Sequence, residues 1–222
     1  MDAIIPNRAY NDKFRTRIRE GNWYLLSDFK VVLSTRILRY SKHPYEIEFT
    51  CKTSIDRVSS RSRWNFFNDY DFTRINSAKA EDKDFVVDAI GVIHSVEPVG
   101  ILPWVPRRGE CDFESRYITF TIKDTLGKFM KCVALGKAGE DFLLQWEKRI
   151  SRVEYSYEKI IASLRFWRIS EYEGKPCLLT EVGCSKTFID PNYPDFDNNH
   201  YISAFSICEE DELNEEVVEA NF

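Results

Sequence analysis

The sequence has no long apolar run and no leader-like start. No stretch approaches the ~20 apolar residues that a membrane helix requires, and Met1–Phe14 has neither the basic start nor the apolar core of a secretory signal. We therefore expect a soluble intracellular protein without a membrane segment. With 43% hydrophobic and 14% aromatic content over 222 residues, the chain can form one large core or two small ones, which excludes wholesale disorder.

Motifs for metal binding and catalysis are also missing. The six cysteines include no C-x-x-C pair, and in a reducing compartment such cysteines are usually small buried hydrophobes. His43, His94 and His200 lie far apart in the sequence, and there is no P-loop, G-x-G-x-x-G or H-E-x-x-H. We therefore expect no cofactor, no metal and no catalytic residue, and predict a binding protein that is not an enzyme.

Acidic and basic side chains are unevenly distributed. The formal net charge is −5, yet residues 209–222 alone hold seven acids and no base. Residues 1–83 carry 16 basic and 11 acidic side chains. The chain thus combines a basic N-terminal third with an acidic end, and charge alone neither establishes nor excludes a polyanionic partner.

The second half of the chain alternates apolar and polar residues in a way that predicts strands. Three strand segments come first, then a segment with apolar residues every three to four positions, which predicts an amphipathic helix, then two more strands. The strands are Asp84–Val96, Arg116–Asp124, Lys128–Gly136, Lys159–Ile169 and Cys177–Phe188, and the helix is Lys137–Arg149. This is the chain order of an OB-fold, a five-stranded Greek-key barrel with a helix after the third strand. We predict an all-β protein with a minor helical part and a complete OB-fold over residues 84–196.

A shortened version of the same order precedes this barrel. Asn7–Glu20 predicts a helix, and Trp23–Val32 and Tyr45–Thr53 predict two strands. We predict that residues 1–55 form an incomplete OB-fold unit made of a helix and the last two strands. Residues 56–83 then form a basic, aromatic linker that packs down, and residues 197–222 form an acidic C-terminal tail. Whether another chain completes the first barrel is left open.

Several short blocks resemble one known family in their order and spacing. They are Gly21–Phe29, His43–Phe49, Phe120–Asp124, Leu164–Phe166 and Phe188–Pro191. Together they resemble the large subunit of replication protein A and, more closely, the plant family of proteins similar to its DNA-binding domains, over most of the chain up to about Phe196. The resemblance implies tandem OB-folds in the nucleus that bind single-stranded DNA through basic grooves and through aromatic side chains that stack on bases.

The resemblance also implies particular stacking positions. Tyr172, in the predicted turn Ser170–Pro176, matches a stacking aromatic of the family. Leu135 and Leu38 stand where the family has aromatic residues, although Tyr40 is two positions from Leu38.

Two loops of an OB-fold contact its ligands, and both contain candidate residues here. The loop Glu97–Ser115 offers Trp104 for stacking beside Arg107 and Arg108, and an ordered solvent loop is the alternative interpretation. The complete predicted nucleic-acid-binding set is Tyr172, Lys175, Trp104, Arg107, Arg108, Lys131 and Arg165. For Arg165 the alternative is a barrel-face position with a salt-bridge partner, and for Lys131 it is a side chain that faces the solvent instead of the groove.

Two functions stay open at this point. The first is largely sequence-independent binding of single-stranded DNA, with RNA as an alternative strand. The second is an OB-fold protein-interaction module with reduced or lost nucleic-acid binding, whose acidic tail contacts a protein partner. Tyr172 and the basic loop favour the first function, whereas Leu135 favours the second. The sequence does not indicate an oligomeric state.

Overall fold

Two units, Met1–Asn65 and Phe66–Phe222, make up the chain in a computed structural model. The structure describes residues 1–6, 8–62, 67, 70–101, 116–151 and 159–191, and the findings below concern these residues. No helix among them is both long enough and apolar enough to cross a membrane.

Both units contain helices and strands. The first unit contains β1 (Asp2–Ile4), α1 (Arg8–Arg15), β2 (Trp23–Ser27), β3 (Lys30–Leu33), β4 (Tyr45–Glu48) and β5 (Ser54–Val58). The second contains α2 (Phe72–Asn76), a 3-10 helix (Ala80–Asp84), β6 (Val86–Val96), β7 (Gly100–Ile101), β8 (Arg116–Lys123), β9 (Phe129–Leu135), α3 (Gly136–Ile150), β10 (Ile161–Tyr172), β11 (Lys175–Thr180) and β12 (Lys186–Ile189).

Five strands of the second unit close into a barrel. They pair in the order β11, β9, β8, β6 and β10, and β10 then pairs with β11. The β11–β9 pair is parallel and the other pairs are antiparallel. β12 pairs with the first half of β10, and α3 connects β9 to β10. The predicted OB-fold is therefore confirmed.

The barrel interior is filled by the inward side chains of these strands and by one face of α3. Phe142 of α3 stacks on Phe120 of β8 with ring centroids 4.1 Å apart and planes 8° apart. Trp167 meets Phe120 edge to face at 5.9 Å, and its indole N–H donates to the Lys186 carbonyl at 3.1 Å. All three rings are fully buried. Because large aromatic rings contribute much of the apolar area buried in a core, this cluster fixes the barrel and leaves its outward side chains available for contacts.

Part of the segment predicted as a linker, residues 56–83, lies within these two units. β5 extends to Val58 in the first unit. In the second unit, Tyr70, Phe72 and Ile75 are buried in the barrel core. Gly91 makes room for Phe72, because a Cβ atom at Gly91 would lie 3.2 Å from the Phe72 ring and 2.7 Å from the Lys123 carbonyl oxygen.

The first unit differs from its prediction in the bounds of its elements. The predicted helix Asn7–Glu20 is observed only over Arg8–Arg15. The predicted strand Trp23–Val32 is interrupted at Asp28, whose φ is +57°. The predicted strand Tyr45–Thr53 ends at Glu48, because Thr50–Thr53 forms a turn in which the Thr53 N–H donates to the Thr50 carbonyl at 3.2 Å. β1 and β5 are additional strands that the alternation did not indicate.

The strand pairing of the first unit repeats that of the second half of the barrel. β1 and β4 are parallel, like β9 and β11. β3 and β4 are antiparallel, like β10 and β11, and β2 and β5 are antiparallel, like β10 and β12. In the described part of the chain, β1, β2 and β3 each pair along one edge only.

We predict that the second unit folds without the first and that the first does not fold alone. Among the described residues of the first unit, three hydrophobic side chains are buried in its core, Phe14, Phe49 and Ile55, and units of this size with open strand edges are marginally stable. Thermal melts followed by circular dichroism at low concentration should be cooperative for residues 66–191 and featureless for residues 1–65. A cooperative melt of residues 1–65 would contradict the prediction.

Candidate functional site

The side chains of β8 and β9 that point away from the core share one side of the two strands, here called the outer face, and the Thr119–Val133 pair within it is buried. Successive side chains of a strand point to opposite sides, and Ile118, Phe120 and Ile122 of β8 point into the core. The outward pairs across the two strands are Tyr117–Leu135, Thr119–Val133, Thr121–Lys131 and Lys123–Phe129. The predicted site residues Lys131 and Leu135 thus lie on the same face.

A tight hairpin brings Tyr172 to this face. Tyr172 is the last residue of β10 and pairs with Lys175, the first residue of β11. Glu173 and Gly174 connect them with φ angles of +53° and +74°, as in the two-residue turns that suit the twist of a hairpin. The prediction that Tyr172 lies in a loop over Ser170–Pro176 is therefore wrong in detail, because the strand pairing continues to the end of the hairpin. Lys175 is exposed beside it.

Tyr172, Tyr117 and Lys131 form a cluster on the outer face. The Lys131 ammonium lies 4.9 Å from the centroid of the Tyr172 ring, within the range of a cation–π interaction. The rings of Tyr117 and Tyr172 are 6.4 Å apart and tilted by 51°. A hydrogen bond with Tyr117 and, to a smaller extent, desolvation raise the pKa of Tyr172 to about 12. Tyr172 is thus a neutral phenol whose ring is held in place by two neighbours.

Glu97, which follows β6, contacts Lys131 of the same cluster. Its carboxylate accepts a hydrogen bond from the Thr119 hydroxyl and lies 3.0 Å from the Lys131 ammonium. Its backbone N–H donates to the Thr119 carbonyl at 2.9 Å. The Thr119 hydrogen bond and then Lys131 lower the pKa of Glu97, so this carboxylate is ionised at neutral pH.

Lys131 therefore lies between two carboxylates. Glu97 is 3.0 Å away, and Glu173 of the hairpin turn is 4.0 Å away. Since both acids are partly solvated, each contact is worth little to stability. Their main consequence is local charge: an anionic ligand that contacts Lys131 has to displace or tolerate two acids.

Arg165, another predicted site residue, lies away from this cluster. Arg165 lies seven residues before Tyr172 on β10, which corresponds to roughly 23 Å along an extended strand. Its Nε atom is 4.0 Å from the buried Asp88 carboxylate, and its guanidinium is 5.0 Å from the Phe166 ring. Arg165 thus contacts Asp88 and Phe166 and not the cluster around Tyr172. Trp104, Arg107 and Arg108 lie outside the described residues.

Leu135 and Leu38, where the resemblance implies aromatic residues, lie at different places in their units. Leu135 is half-buried on the outer face opposite Tyr117, and its backbone N–H donates to the Thr180 hydroxyl at 2.8 Å. Leu38 is half-buried in the connection between β3 and β4. Nearby Tyr40 is exposed, with the Arg36 guanidinium 5.6 Å from its ring. Tyr40 therefore supplies an aromatic surface in the first unit where Leu38 does not.

Sequence reasoning missed Tyr117 and Glu97. A two-residue turn at Leu126-Gly127 would have placed Ile118 opposite Leu135, whereas the observed register, in which the Asp124 N–H donates to the Lys128 carbonyl, places Tyr117 there. Glu97 gave no comparable signal, since it follows β6 in a loop whose course depends on β8. No group of three or more His, Cys, Asp or Glu residues in the described ranges could hold a metal ion.

The barrel and its outer face define the class of this protein as an OB-fold protein. Residues 1–79 match the family model described as domain of unknown function DUF223. In a solved structure of a replication protein A heterotrimer bound to ssDNA, one chain aligns over 87% of this chain and 40% of its own length, with a TM-score of 0.52 and 19% identity. That alignment supports the fold.

Two curated relatives are similar in sequence. Replication factor A protein 1 of Schizosaccharomyces pombe is 23% identical over 181 residues, which cover 82% of this chain and 27% of the relative. A 70 kDa DNA-binding subunit of replication protein A from Oryza sativa subsp. japonica is 23% identical over 189 residues, which cover 83% of this chain and 18% of the relative. The chain thus spans about a quarter or less of these relatives and is similar to replication protein A subunits. Because the two relatives come from different lineages, a plant origin stays a prediction.

We predict that replacing Tyr117 with Phe lowers the pKa of Tyr172 from about 12 toward the ordinary tyrosine value of ~10. The reason is that Tyr117→Phe removes the hydrogen bond that stabilises the neutral phenol. NMR titration of protein labelled at the tyrosine ring carbons would measure the shift, with Tyr172→Phe to assign the signal. An unchanged pKa in Tyr117→Phe would show that the two hydroxyls do not interact.

Proposed function

We propose that this protein binds single-stranded DNA with little sequence preference, through the outer face of its second unit. The observation that carries the proposal is the Tyr172 ring with the Lys131 ammonium 4.9 Å from its centroid, on the strands and hairpin that OB-folds use for ligands. Every base has a π-face, so an aromatic ring beside a cation accepts single strands of any sequence. Single-stranded RNA is the alternative ligand, because its bases can stack on the same ring.

The similarity to replication protein A subunits supports the proposal. The Oryza sativa relative is named a DNA-binding subunit, and the replication protein A structure of similar fold is of a heterotrimer bound to ssDNA. By analogy we propose a nuclear binding protein, not an enzyme, that also has protein partners. The acidic tail, residues 197–222, lies outside the described residues and stays the predicted contact for such a partner.

The charges around Lys131 determine what kind of binding to expect. Two carboxylates lie within 4.0 Å of its ammonium, so the cation contributes less to phosphate binding than an isolated lysine would. Stacking on Tyr172 should then supply most of the affinity. We therefore expect weak binding. The logarithm of the binding constant should fall with the logarithm of the salt concentration, with a slope of about −0.7 for each phosphate that the protein neutralises.

We predict that Tyr172→Ala weakens binding of labelled oligo-dT by about ten- to a hundredfold, because base stacking is worth roughly 1–3 kcal/mol. Tyr172→Phe keeps the ring and should retain most of the affinity. Leu135→Trp adds a ring opposite Tyr117 on the same face and should strengthen binding. Fluorescence anisotropy at low and high salt would measure all three variants.

Thermal melts and one matched variant make this test interpretable. Leu144→Ala removes an exposed apolar side chain from α3 and should change neither affinity nor stability. Unchanged affinity in Tyr172→Ala at unchanged melting temperature, or equal binding to duplex and single strand, would contradict the proposal. The protein-interaction hypothesis would then be favoured.

We predict that Glu97→Gln strengthens oligo-dT binding and makes its salt dependence steeper. Without the Glu97 charge, Lys131 can neutralise one more phosphate, which should steepen the slope by about 0.7. Glu147→Gln changes the net charge equally at an exposed position of α3 and serves as the control. If both variants titrate alike, the effect belongs to net charge and Glu97 has no specific part in binding.

A further inference from the structure

The outer face continues past Lys131 to an exposed aromatic ring. Phe129 is the first residue of β9 and lies two residues before Lys131, so both side chains point to the outer face. The Phe129 side chain is 50% exposed. Phe129 was not among the residues singled out by the sequence, which predicted stacking at Tyr172 and Trp104 and the loss of a stacking ring at Leu135.

We propose that Phe129 is a second base-stacking platform, which extends the binding site along β9 away from the hairpin. This inference rests on the proposed function of the outer face. The ligand is the same single strand, and Phe129 contacts a different nucleotide from Tyr172.

The half-exposed Phe129 ring is contacted by two neighbouring side chains. The His94 ring meets it edge to face at 4.8 Å between centroids. The Lys123 ammonium lies 5.7 Å from its centroid. A ring supported in this way loses little conformational freedom when a base stacks on it, which favours binding.

The turn before Phe129 is also fixed. The Asp124 carboxylate accepts hydrogen bonds from the backbone N–H groups of Leu126 and Lys128 at 2.9 and 2.8 Å. The Asp124 N–H donates to the Lys128 carbonyl at 2.9 Å. Asp124 is buried, so the start of β9 and its first side chain are held in one position.

The spacing places a cation between two rings. Phe129 and Lys131 are about 7 Å apart along the strand, and the Lys131 ammonium is 4.9 Å from the Tyr172 ring. A single strand that stacks one base on each ring would carry its backbone past Lys131. This combination of aromatic surfaces and a cation is what sequence-tolerant single-strand sites use.

The competing explanation is structural. Phe129 pairs with Lys123 across the hairpin, and its ring could serve only to cover the Lys123 stem and the His94 ring. In that case any apolar side chain of similar size would do. The two explanations differ in one expectation: only base stacking requires an aromatic side chain at residue 129.

The test compares Phe129→Leu, which keeps apolar bulk, with Phe129→Trp, which keeps an aromatic ring. The probe is labelled oligo-dT of about 15 nucleotides, since OB-folds have site sizes of roughly 4–16. Phe129→Leu should weaken binding by about five- to fiftyfold and Phe129→Trp should match or exceed the wild type. Leu144→Ala is the control for loss of exposed apolar surface, and thermal melts control for folding.

Each outcome bears on one claim. If Phe129→Leu binds like the wild type while Tyr172→Ala binds weakly, the second platform is wrong and the proposed function stands. If the wild type binds no oligo-dT, both fall. If Phe129→Leu is unfolded, photo-crosslinking of the wild type to 5-iododeoxyuridine oligonucleotides with peptide mapping decides: an adduct at Phe129 supports the platform, and adducts only elsewhere overturn it.

Discussion

The parallel pairing of β11 with β9 is the interaction on which the site depends. It aligns Cys177 with Lys131 and Leu179 with Val133, and so closes the barrel between strands that are distant in the sequence. The hydrogen bond from the Leu135 N–H to the Thr180 hydroxyl, at 2.8 Å, reinforces it at the far end. Because β11 begins one hairpin turn after Tyr172, this pairing places the Tyr172 ring over Lys131. Without it, the two groups would lie on separate hairpins.

Charged groups and aromatic rings on the outer face have different roles. The Lys131 ammonium is shared by Glu97, Glu173 and the Tyr172 ring, so its field toward solvent is partly cancelled. The two carboxylates do not weaken stacking on the rings of Tyr172 and Phe129 in the same way, because stacking depends on contact area and desolvation. For the proposed binding of single strands, we expect such a site to act through its rings first, and its carboxylates to limit attachment to duplex phosphates, where the bases are not accessible for stacking.

What the sequence predicts well is what local periodicity determines. Alternation along Arg116–Lys123 and the three-to-four spacing along α3 are short-range patterns, and their order specified the barrel. The ion pair of Lys131 with Glu97 and the position of Tyr172 at a strand end depend on which distant segments pair, and alternation carries no information about that. The interruption at Asp28 and the β-bulge at Phe166 were missed for a related reason. Both residues have positive φ although neither is glycine, and the groups that stabilise them are remote in sequence.

At these two positions the backbone strain coincides with a change of strand partner. Positive φ at a non-glycine residue costs about 1–3 kcal/mol, and in both units a remote hydroxyl offsets part of it. The Ser185 hydroxyl donates to the Phe166 carbonyl at 2.6 Å and accepts from the Glu181 N–H at 2.7 Å. Thr53 does the same with the Asp28 carbonyl at 3.1 Å and the Thr50 N–H at 2.8 Å. At Phe166, β10 changes partner from β12 to β11, just as the first unit changes from the β2–β5 pair to the β3–β4 pair at Asp28. The strain at Phe166 is thus what allows one strand to serve two partners, and only the second of these partners carries the hairpin that positions Tyr172.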